Sequence, residues 1–369
     1  MRKLKALVTA LTCAQLAAFQ ANAAPLALWS DGDCGVKKYR IPALCTAPDG
    51  KTIVAVCDAR KNHGGDLNTK QPIWITFRTS VDGGKTWTDP KPTWNWTWND
   101  CEQWSASDPS FIVDAQAKKI FLFYNVWECC GKAGVYQHWV QESADNGRTW
   151  SKPVEITASI HREEWPEKAF LFMSSGSGIQ TKDGTLLHTV VWVGKHVALF
   201  GSTDHGKTWK SVGKPVSPGD ECKVVELSDG KWMINSRWRV GARQIFVSGD
   251  RGETWDHRSD ATLLDPACNA QIMTYPLAAA RPGKKLKEGV KPTVLLFSNC
   301  KSNGRNNLTL RTSWDDGETW NDGYTICPSG SAYSDITVLP DGSVGVLYET
   351  AGYSSIAFDT VAPADFLKR

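Results

Sequence analysis

Short runs of apolar residues recur along the chain, and most are bounded by glycine, aspartate or proline. Runs of this length predict β-strands, because Val, Ile, Leu and aromatic residues fill a pleated surface whereas Gly and Asp favour turns. No segment has the period of 3.6 residues that an amphipathic helix requires. The predicted strands are residues 52–57, 73–79, 119–126, 186–193, 231–237, 293–298 and 343–348.

One turn sequence is repeated five times between these strands. Each copy reads Ser-x-Asp-x-Gly-x-Thr-Trp, in which Asp can bond backbone amides two residues on, Gly supplies a positive φ and Trp packs the turn onto the sheet. The copies start 46 to 65 residues apart, which is room for one four-stranded sheet each. They are residues 80–87, 143–150, 202–209, 248–255 and 313–320.

A second, simpler turn, with the sequence Asp-Gly or a looser equivalent, precedes apolar strands at six places. Radial repetition of four-stranded sheets protects sheet edges, so the two repeats predict an all-β fold, a six-bladed β-propeller. No Trp-containing turn follows the last simple turn, and we expect an N-terminal strand to complete that blade. A single domain, residues 24–369, then uses the chain. The simple turns begin at Asp49, Asp183, Asp229 and Asp341, with looser equivalents at residues 114–118 and 287–289.

Residues 1–23 differ in composition from the rest. Three basic residues precede a short apolar segment and the small residues Ala21 to Ala23, which is typical of a secretory signal peptide. We therefore expect these residues to be removed and the protein to be secreted or periplasmic. No later segment approaches the ~20 apolar residues of a membrane span.

Without residues 1–23 the chain has 39 basic and 39 acidic residues, a balance that lacks the basic footprint of a nucleic-acid-binding protein. Ten cysteines remain, an even number that an oxidising compartment could pair. We expect one or two disulfides, with Cys45 and Cys57 as the first candidate pair. For the adjacent Cys129 and Cys130, ordinary pairing is favoured over a redox or metal site. The sequence contains no cluster of metal ligands, so we expect no metal or cofactor, and we expect a monomer.

Several polar residues are not explained by the strand pattern. Arg40 lies in Tyr-Arg-Ile-Pro before the first simple turn, Glu226 lies in Val-Val-Glu-Leu, and Tyr333 lies in Ser-Ala-Tyr-Ser. A carboxylate between apolar neighbours is costly to bury without a partner, which makes Glu226 a candidate functional residue. Taken alone, an Arg is usually a solvated surface charge, and Tyr333 could equally be a core residue. The other candidates are Arg60, Asp66, Asp108, Arg243, Arg305 and Glu349.

Together with the five repeated turns, which are Asp boxes, these motifs resemble the exo-α-sialidases (neuraminidases) of the bacterial and trypanosomal type. The Arg-Ile-Pro element, the Asp boxes, the Val-Val-Glu-Leu-x-Asp-Gly element and the final Tyr occur in the family's order over nearly the whole chain. The resemblance implies hydrolysis of terminal sialic acid from glycoproteins, glycolipids or oligosaccharides, with retention of configuration.

The resemblance assigns the binding of the substrate carboxylate to Arg40, Arg243 and Arg305, with Glu349 holding Arg40 in place. Arginines suit this role because a planar guanidinium can bond both carboxylate oxygens. Arg237 lies close to Arg243 in the sequence and is the alternative third arginine, although the spacing favours Arg243.

The resemblance assigns the chemistry to Tyr333 as nucleophile, Glu226 as its base and Asp66 as the general acid and base at the glycosidic oxygen. A neutral phenol suits this substrate because a carboxylate nucleophile would approach the like charge of the sialic acid, and Tyr-nucleophile sialidases are an exception to the two-carboxylate rule. Ionising a phenol at pH 7 costs roughly 4 kcal/mol, so an adjacent base is needed. Arg60 and Asp108 would contact hydroxyls of the sugar ring.

Other functions remain open on the sequence. A sialic-acid-binding lectin or adhesin would share the fold and the arginines but would not need Tyr333, Glu226 and Asp66. Trypanosomal trans-sialidases have a Trp after the fourth Asp box, and residues 264–270 contain none, which favours transfer to water without excluding an intramolecular transfer. Alternating tryptophans could stack sugars or pack a blade edge; they are Trp94, Trp96 and Trp98.

Overall fold

The computed structural model describes residues 25–69, 71–94, 104–128, 136–166 and 169–368. The fold is built almost entirely of strands, as the apolar pattern predicted. The first twelve are β1 (Leu26–Ser30), β2 (Lys38–Thr46), β3 (Ile53–Arg60), β4 (Ile73–Ser80), β5 (Lys91–Pro92), β6 (Trp104–Asp114), β7 (Lys119–Glu128), β8 (Gln137–Ser143), β9 (Val154–Glu155), β10 (Leu171–Met173), β11 (Gly176–Ser177) and β12 (Ile179–Gln180).

The remaining strands are β13 (Leu186–Trp192), β14 (His196–Ser202), β15 (Lys210–Val216), β16 (Cys222–Glu226), β17 (Trp232–Ser236), β18 (Arg243–Ser248), β19 (Asp256–Asp260), β20 (Gln271–Pro276), β21 (Thr293–Cys300), β22 (Asn306–Ser313), β23 (Tyr324–Val338), β24 (Val344–Thr350) and β25 (Ser355–Val361). Two single-turn α-helices, α1 (Thr157–Ile160) and α2 (Pro363–Phe366), lie at the surface of the strands. Short 3-10 turns cover Asp33–Gly35 and Ala351–Tyr353.

Sequential strands are neighbours in the sheets. Four sheets have the orders β2-β3-β4-β5, β11-β6-β7-β8-β9, β10-β13-β14-β15 and β16-β17-β18-β19, and β12 also pairs with β13. The fifth has the order β1-β25-β24-β23-β22-β21-β20, because the long strand β23 pairs with β22 through its first half and with β24 through its second. Strand β1 pairs with the last strand β25, which is the closure by an N-terminal strand that the sequence predicted.

We call each run of sequential, mutually paired strands a unit. The first strands of the units lie at the centre of the molecule; they are β2, β6, β12, β16, β20 and β23. Strand β2 contacts β6, β6 contacts β12, β12 contacts β16, β16 contacts β20, β20 contacts β23, and β23 returns to β2. The ring is therefore closed around one axis. Each of these strands is followed by one of the simple turns found in the sequence, and after β20 the segment 277–286 separates the strand from its turn. The beginnings of the strands consequently lie at one end of the axis and the simple turns at the other.

The Asp boxes join the third and fourth strands of successive units. In the first copy, the Ser80 hydroxyl accepts a hydrogen bond from the Gly84 amide at 3.0 Å, and Asp82 accepts from the amide and hydroxyl of Thr86 at 2.9 and 2.6 Å. The same bonds recur in the other four copies. The aspartate thus bonds an amide four residues on, not two as predicted. The positive φ of the Gly and the packing of the Trp are confirmed in the first copy, where Trp87 contacts the core.

The expected disulfide between Cys45 and Cys57 is wrong. Both residues are free thiols on the β2–β3 hairpin, but Cys45 faces one core cluster with Val54, whereas Cys57 faces another with Leu44. Side chains alternate between the two faces of a sheet, so the sulfurs cannot meet. All seven cysteines among the described residues are free.

Some sequence expectations lie outside the described residues. They concern the signal at residues 1–23, the pair Cys129 and Cys130, and two of the three alternating tryptophans, Trp96 and Trp98. Across the described ranges, no helix is long and apolar enough to cross a membrane.

Candidate active site

Charged side chains meet where the first strands begin and the second strands end. These positions come from distant parts of the chain, and the closed ring brings them to one end of the axis. Most of the residues singled out in the sequence lie here, whereas Glu226 and Arg243 do not. The residues that come together are Arg40, Arg60, Asp66, Asp108, Glu221, Arg237, Arg305, Tyr333, Glu349 and Tyr353.

Tyr333 on β23 is in contact with a carboxylate and a guanidinium. Its hydroxyl donates a hydrogen bond to Oε2 of Glu221 at 2.6 Å and accepts one from Nη1 of Arg237 at 3.3 Å. The same Nη1 lies 2.7 Å from Oε2 of Glu221. Asp220 holds Arg237 from the other side, 3.1 Å from its Nη2. The phenol therefore has an acceptor for its proton and a cation beside its oxygen.

The sequence assigned the base to Glu226, and the structure corrects this. Glu221 stands just before β16, at the end of the strand that faces Tyr333, whereas Glu226 is the last residue of that strand. Five residues of extended chain separate the two by about 16 Å. The carboxylate of Glu226 instead accepts the backbone amide of Lys182 at 2.8 Å, beside the simple turns. It lines a cavity of about 540 Å³ at that end of the axis.

The sequence favoured Arg243 over Arg237 for carboxylate binding, and this is also corrected. Arg243 is fully buried, and its Nη1 lies 2.6 Å from Oδ2 of Asp265 and donates to the carbonyl of Cys268 at 3.1 Å. Its Nε donates to Oδ1 of Asn235 at 2.7 Å. These buried partners hold the guanidinium of Arg243 beneath the surface, where it anchors the loop of Asp265 and Cys268.

Glu349 ties Arg40 to the backbone around Tyr333. Its carboxylate is fully buried and accepts hydrogen bonds from Nε of Arg40, from the amide of Ile41 at 2.9 Å and from the amide of Tyr333 at 3.1 Å. The predicted contact between Glu349 and Arg40 is therefore present. One carboxylate fixes both the guanidinium and the strand position of the phenol.

Arg305 and Arg40 both contact Tyr353. Nη1 of Arg305 donates to the hydroxyl of Tyr353 at 3.0 Å, and the guanidinium carbon of Arg40 lies 4.1 Å from the centre of the same ring. Both guanidinium groups also lie within 6 Å of the ring of Tyr333. The carbonyl of Ala267 accepts hydrogen bonds from Arg305 and Arg237, at 3.2 and 3.1 Å. Arg40, Arg237 and Arg305 are thus held by shared neighbours.

A second group of charges surrounds Arg60 at the end of β3. Arg60 is buried and forms ion pairs with Asp58 at 2.9 Å and with Asp66 at 2.7 Å. The side chain of Asp66 is 74% exposed, so this carboxylate stands at the rim. Asp108, which has a φ of 60°, donates its amide to Asp58 at 3.1 Å and accepts a bond from Asn125 at 3.1 Å.

Burial shifts the pKa values of several side chains in the site. It raises the pKa of Tyr333 well above its ordinary value, and the Glu221 carboxylate raises it further. Burial also raises the pKa of Asp108 to about 8, with further contributions from the charges of Asp58 and Glu221. The pKa of Asp58 is raised by burial as well, although Arg60 opposes the shift. Both shifts favour the protonated forms of Tyr333 and Asp108 at neutral pH.

Sequence reasoning missed Glu221, Asp220 and Tyr353, and one signal could have found the first of these. Arg40 precedes its simple turn by nine residues, and Tyr333 precedes its own by eight. Glu221 precedes Asp229 by eight residues, whereas Glu226 precedes it by only three. Residues that precede a simple turn by eight or nine positions lie at the same end of the axis, so this spacing would have selected Glu221.

The described residues contain no group of three or more His, Cys, Asp or Glu side chains arranged to hold a metal ion. The titratable groups of the site are instead paired with arginines, with each other or with backbone amides. This arrangement can bind an anionic group and transfer protons between oxygen atoms.

The fold and the site agree with comparisons to known proteins. The family model for the BNR repeat-like domain matches residues 63–346, and the chain belongs to this family. A sialidase from Micromonospora viridifaciens is 35% identical over 350 residues, which cover 86% of this chain and 51% of that protein. A sialidase from Bacteroides fragilis is 28% identical over 364 residues, covering 91% and 64%. The chain therefore spans about half to two thirds of the length of these two relatives.

A solved structure shows the same architecture. The Hadza microbial sialidase Hz136 superimposes with a TM-score of 0.80 at 29% identity, covering 91% of this chain and 68% of that one. Sialidase structures of this kind are β-propellers, and the β-propeller predicted from the repeated turns is confirmed. The resemblance to sialidases is confirmed by the relatives and by the structure.

Proposed function

We propose that this chain is an exo-α-sialidase that removes terminal sialic acid from glycoconjugates with retention of configuration. The observation that carries the proposal is the 2.6 Å hydrogen bond from Tyr333 to Glu221, with Arg237 beside the same oxygen. A buried phenol paired with a base, next to three arginines, suits a substrate with a carboxylate on its anomeric carbon. The relatives named sialidase support the same conclusion.

Arg40, Arg237 and Arg305 bind the carboxylate of the sugar in this proposal. Each charge-assisted hydrogen bond to a carboxylate contributes about 1.5 to 3 kcal/mol. Glu349 and Asp220 neutralise part of the positive charge and fix two of the guanidinium groups, so little rearrangement is required on binding. Arg60 and Asp108 bind hydroxyls of the sugar ring in this proposal. Asp108, being protonated, can donate a hydrogen bond as well as accept one.

Tyr333 attacks the anomeric carbon in the first step, and its proton passes to Glu221. Arg237 remains beside the oxygen while it carries developing negative charge. Asp66, which takes up a proton from solvent at its exposed position, gives that proton to the glycosidic oxygen as the bond to the aglycone breaks. The product of this step is a glycosyl-tyrosine.

Water completes the reaction in the second step. The Asp66 carboxylate takes a proton from water as the water attacks the anomeric carbon, and Glu221 returns its proton to the departing Tyr333 oxygen. The two displacements on the same carbon restore the original configuration.

We also infer that the propeller has six blades. The shared strand β23 joins two four-stranded groups, β20 to β23 and β23 to β25 with β1, into the seven-stranded sheet. Counting these as two blades gives six first strands around the axis.

The test is hydrolysis of an aryl α-sialoside followed by proton NMR. The wild type is expected to release the α-anomer of the free sugar first, and Tyr333→Phe is expected to lose activity by several orders of magnitude. Tyr275→Phe is a matched control, because this buried tyrosine donates to the carbonyl of Gly342 near the simple turns. It is expected to keep its turnover.

Other products would change the assignment. The β-anomer as first product would exclude the double displacement. An anhydro sugar without a free anomeric hydroxyl would indicate intramolecular transfer. Binding of sialic acid without turnover, abolished by Arg237→Ala, would place the protein among the lectins.

A further inference from the structure

A buried lysine follows the proposed base along the chain. Lys223 in β16 is 1% exposed and is the second residue after Glu221. Its stem passes close to Gly176 in β11, where an added Cβ would lie 2.8 Å from Cε of the lysine. The φ of Gly176 is 103°, a conformation that favours glycine. The backbone of β11 therefore leaves room for the lysine side chain.

The surroundings of Lys223 favour its charged form at neutral pH. Burial lowers the pKa of Lys223 to about 8, and the carboxylates of Glu221 and Asp335 oppose this shift. An ammonium in the protein interior is costly unless hydrogen bonds and opposite charges compensate for the lost water. The hydrogen-bond partner of this ammonium therefore shows what the buried charge holds in place.

The ammonium of Lys223 binds the loop that precedes β20. Its Nζ donates a hydrogen bond to Oδ1 of Asn269 at 2.7 Å. Asn269 is itself buried, and its Nδ2 donates to the hydroxyl and the carbonyl of Ser175 at 2.8 and 3.3 Å. The same Oδ1 accepts the backbone amide of Ala270 at 3.0 Å. Asn269 thus joins the lysine to the backbone of the loop.

The same loop holds two arginines of the candidate active site. Ala267, two residues before Asn269, accepts hydrogen bonds from Arg237 and Arg305 through its carbonyl. The φ of Ala267 is 56°, in the left-handed region, which costs energy for a residue with a Cβ. Such a conformation persists only where the surrounding contacts fix it. The bond between Lys223 and Asn269 is one of these contacts.

We propose that Lys223 is a positioning residue for substrate binding. Its ammonium fixes Asn269, the loop then keeps the Ala267 carbonyl in place, and this carbonyl orients Arg237 and Arg305 toward the carboxylate of the sugar. The role in substrate binding rests on the proposed function, whereas the anchoring of the loop does not. Because Lys223 acts through the arginines, its loss should weaken binding more than it slows turnover.

The test replaces Lys223 with methionine in the full chain, which removes the charge and the donor but keeps an unbranched side chain. Calorimetry should show about a tenfold weaker affinity of Lys223→Met for N-acetylneuraminate, since charge-assisted hydrogen bonds of the arginines are lost or lengthened. With an aryl α-sialoside, KM should rise by more than kcat falls. Hydrogen exchange should be faster at the amides of Cys268 and Ala270, which bond the side chains of Asp265 and Asn269.

Val224→Ala is the matched control for a general loss of stability. This neighbour of Lys223 is also 1% exposed, but it packs in a different part of the core with Leu187 and Ile234. Its truncation should destabilise the protein by leaving a cavity there. The affinity for N-acetylneuraminate and the exchange of the two loop amides should remain as in the wild type. Losses equal to those of Lys223→Met would overturn the proposal.

Asn269→Ala tests the route of the effect, and it carries the test if Lys223→Met does not fold. It should weaken the affinity for N-acetylneuraminate by a similar factor. The double variant with Lys223→Met should lose no more affinity than the weaker-binding single variant, because both substitutions remove the same contact. Losses that multiply in the double variant would show that Lys223 does not act through Asn269.

Unchanged affinity in folded Lys223→Met would overturn the positioning role. If the wild type binds N-acetylneuraminate but hydrolyses no sialoside, the proposed function fails, and the affinities still decide the role of Lys223. If the wild type does not bind N-acetylneuraminate, the role in substrate binding fails with the proposed function. The exchange rates then decide whether Lys223 anchors the loop.

Discussion

The hydroxyl of Tyr333 donates to the carboxylate of Glu221 at 2.6 Å, although the two residues are 112 positions apart in the chain. The contact joins the residue before β16 to the second half of β23. Because each first strand starts at this end, residues with no sequence proximity meet there. The pair couples a buried phenol to a base that is itself held by Arg237.

Replacing Glu221 with Gln should lower kcat/KM for an aryl sialoside by about 10²- to 10⁴-fold, because the phenol loses its proton acceptor. Glu226→Gln is the matched control on the same strand. It is expected to change kcat/KM less than threefold, since Glu226 bonds Lys182 at the other end of the axis. Steady-state kinetics of both variants decide the matter. A severe loss in Glu226→Gln with a mild one in Glu221→Gln would contradict the assignment.

Substitutions of Arg237 and Arg243 should have different effects, one on substrate binding and the other on stability. Arg243→Ala leaves Asp265 buried without its cation and should lower the free energy of unfolding by about 3 to 5 kcal/mol. Arg237→Lys keeps a charge but loses the planar fork, and the lost hydrogen bonding should raise KM about tenfold or more. Urea unfolding and kinetics are measured on both. A raised KM in folded Arg243→Ala, without loss of stability, would favour a direct role in binding.

The repeated turns made the fold predictable from the sequence. Ser80, Asp82 and Thr86 form a turn through hydrogen bonds within eight residues. The sequence motif therefore includes every residue on which the turn depends. The pairing of β1 with β25 followed from counting strands. The proposed pair Cys45 and Cys57 failed because sequence proximity does not reveal which face of the sheet each sulfur occupies.

The site was only partly predictable for the same reason. Arg40 and Glu349 were paired correctly because their motifs are distinctive. The choice between Arg237 and Arg243 depends on the partners that each guanidinium meets in the folded chain, and both are arginines near a strand end. One sequence relation does separate them: Arg237 follows Gly230 by seven residues, as Glu349 follows Gly342. Tyr353 lies in a short turn after β24, and its role appears only when Arg305 is beside it.

Tyr353 should affect substrate binding more than turnover. Tyr353→Phe removes the hydrogen bond from Arg305 but keeps the ring beneath Arg40, and it should raise KM about 2- to 10-fold. Tyr353→Ala also removes the ring and should raise KM by a further few-fold, since a cation–π contact contributes about 0.5 to 2 kcal/mol. Both variants should keep kcat within about threefold. Equal KM values for Tyr353→Phe and Tyr353→Ala would show that the ring of Tyr353 does not support Arg40.

The stability of the protein should decrease with pH because of Asp108, whose pKa is raised by burial to about 8. In the unfolded chain the same carboxyl ionises near pH 4. The protonated side chain therefore favours the folded state fully below pH 4, and this contribution is lost as pH rises through about 8. Asp108→Asn cannot ionise, so it should be more stable than the wild type at pH 8, with a difference that grows by up to about 1.4 kcal/mol per pH unit above pH 5.

Urea unfolding of both proteins at pH 4 to 9 measures this difference. Near pH 4 the two should have similar stability, because asparagine can accept the same hydrogen bond from Asn125 that the protonated aspartate accepts. At pH 9 the difference should have levelled off, since Asp108 is then ionised in both the folded and unfolded states. Parallel stability curves across the range would mean that Asp108 ionises equally in both states. Asp108 would then be a carboxylate at neutral pH and could only accept hydrogen bonds from the substrate.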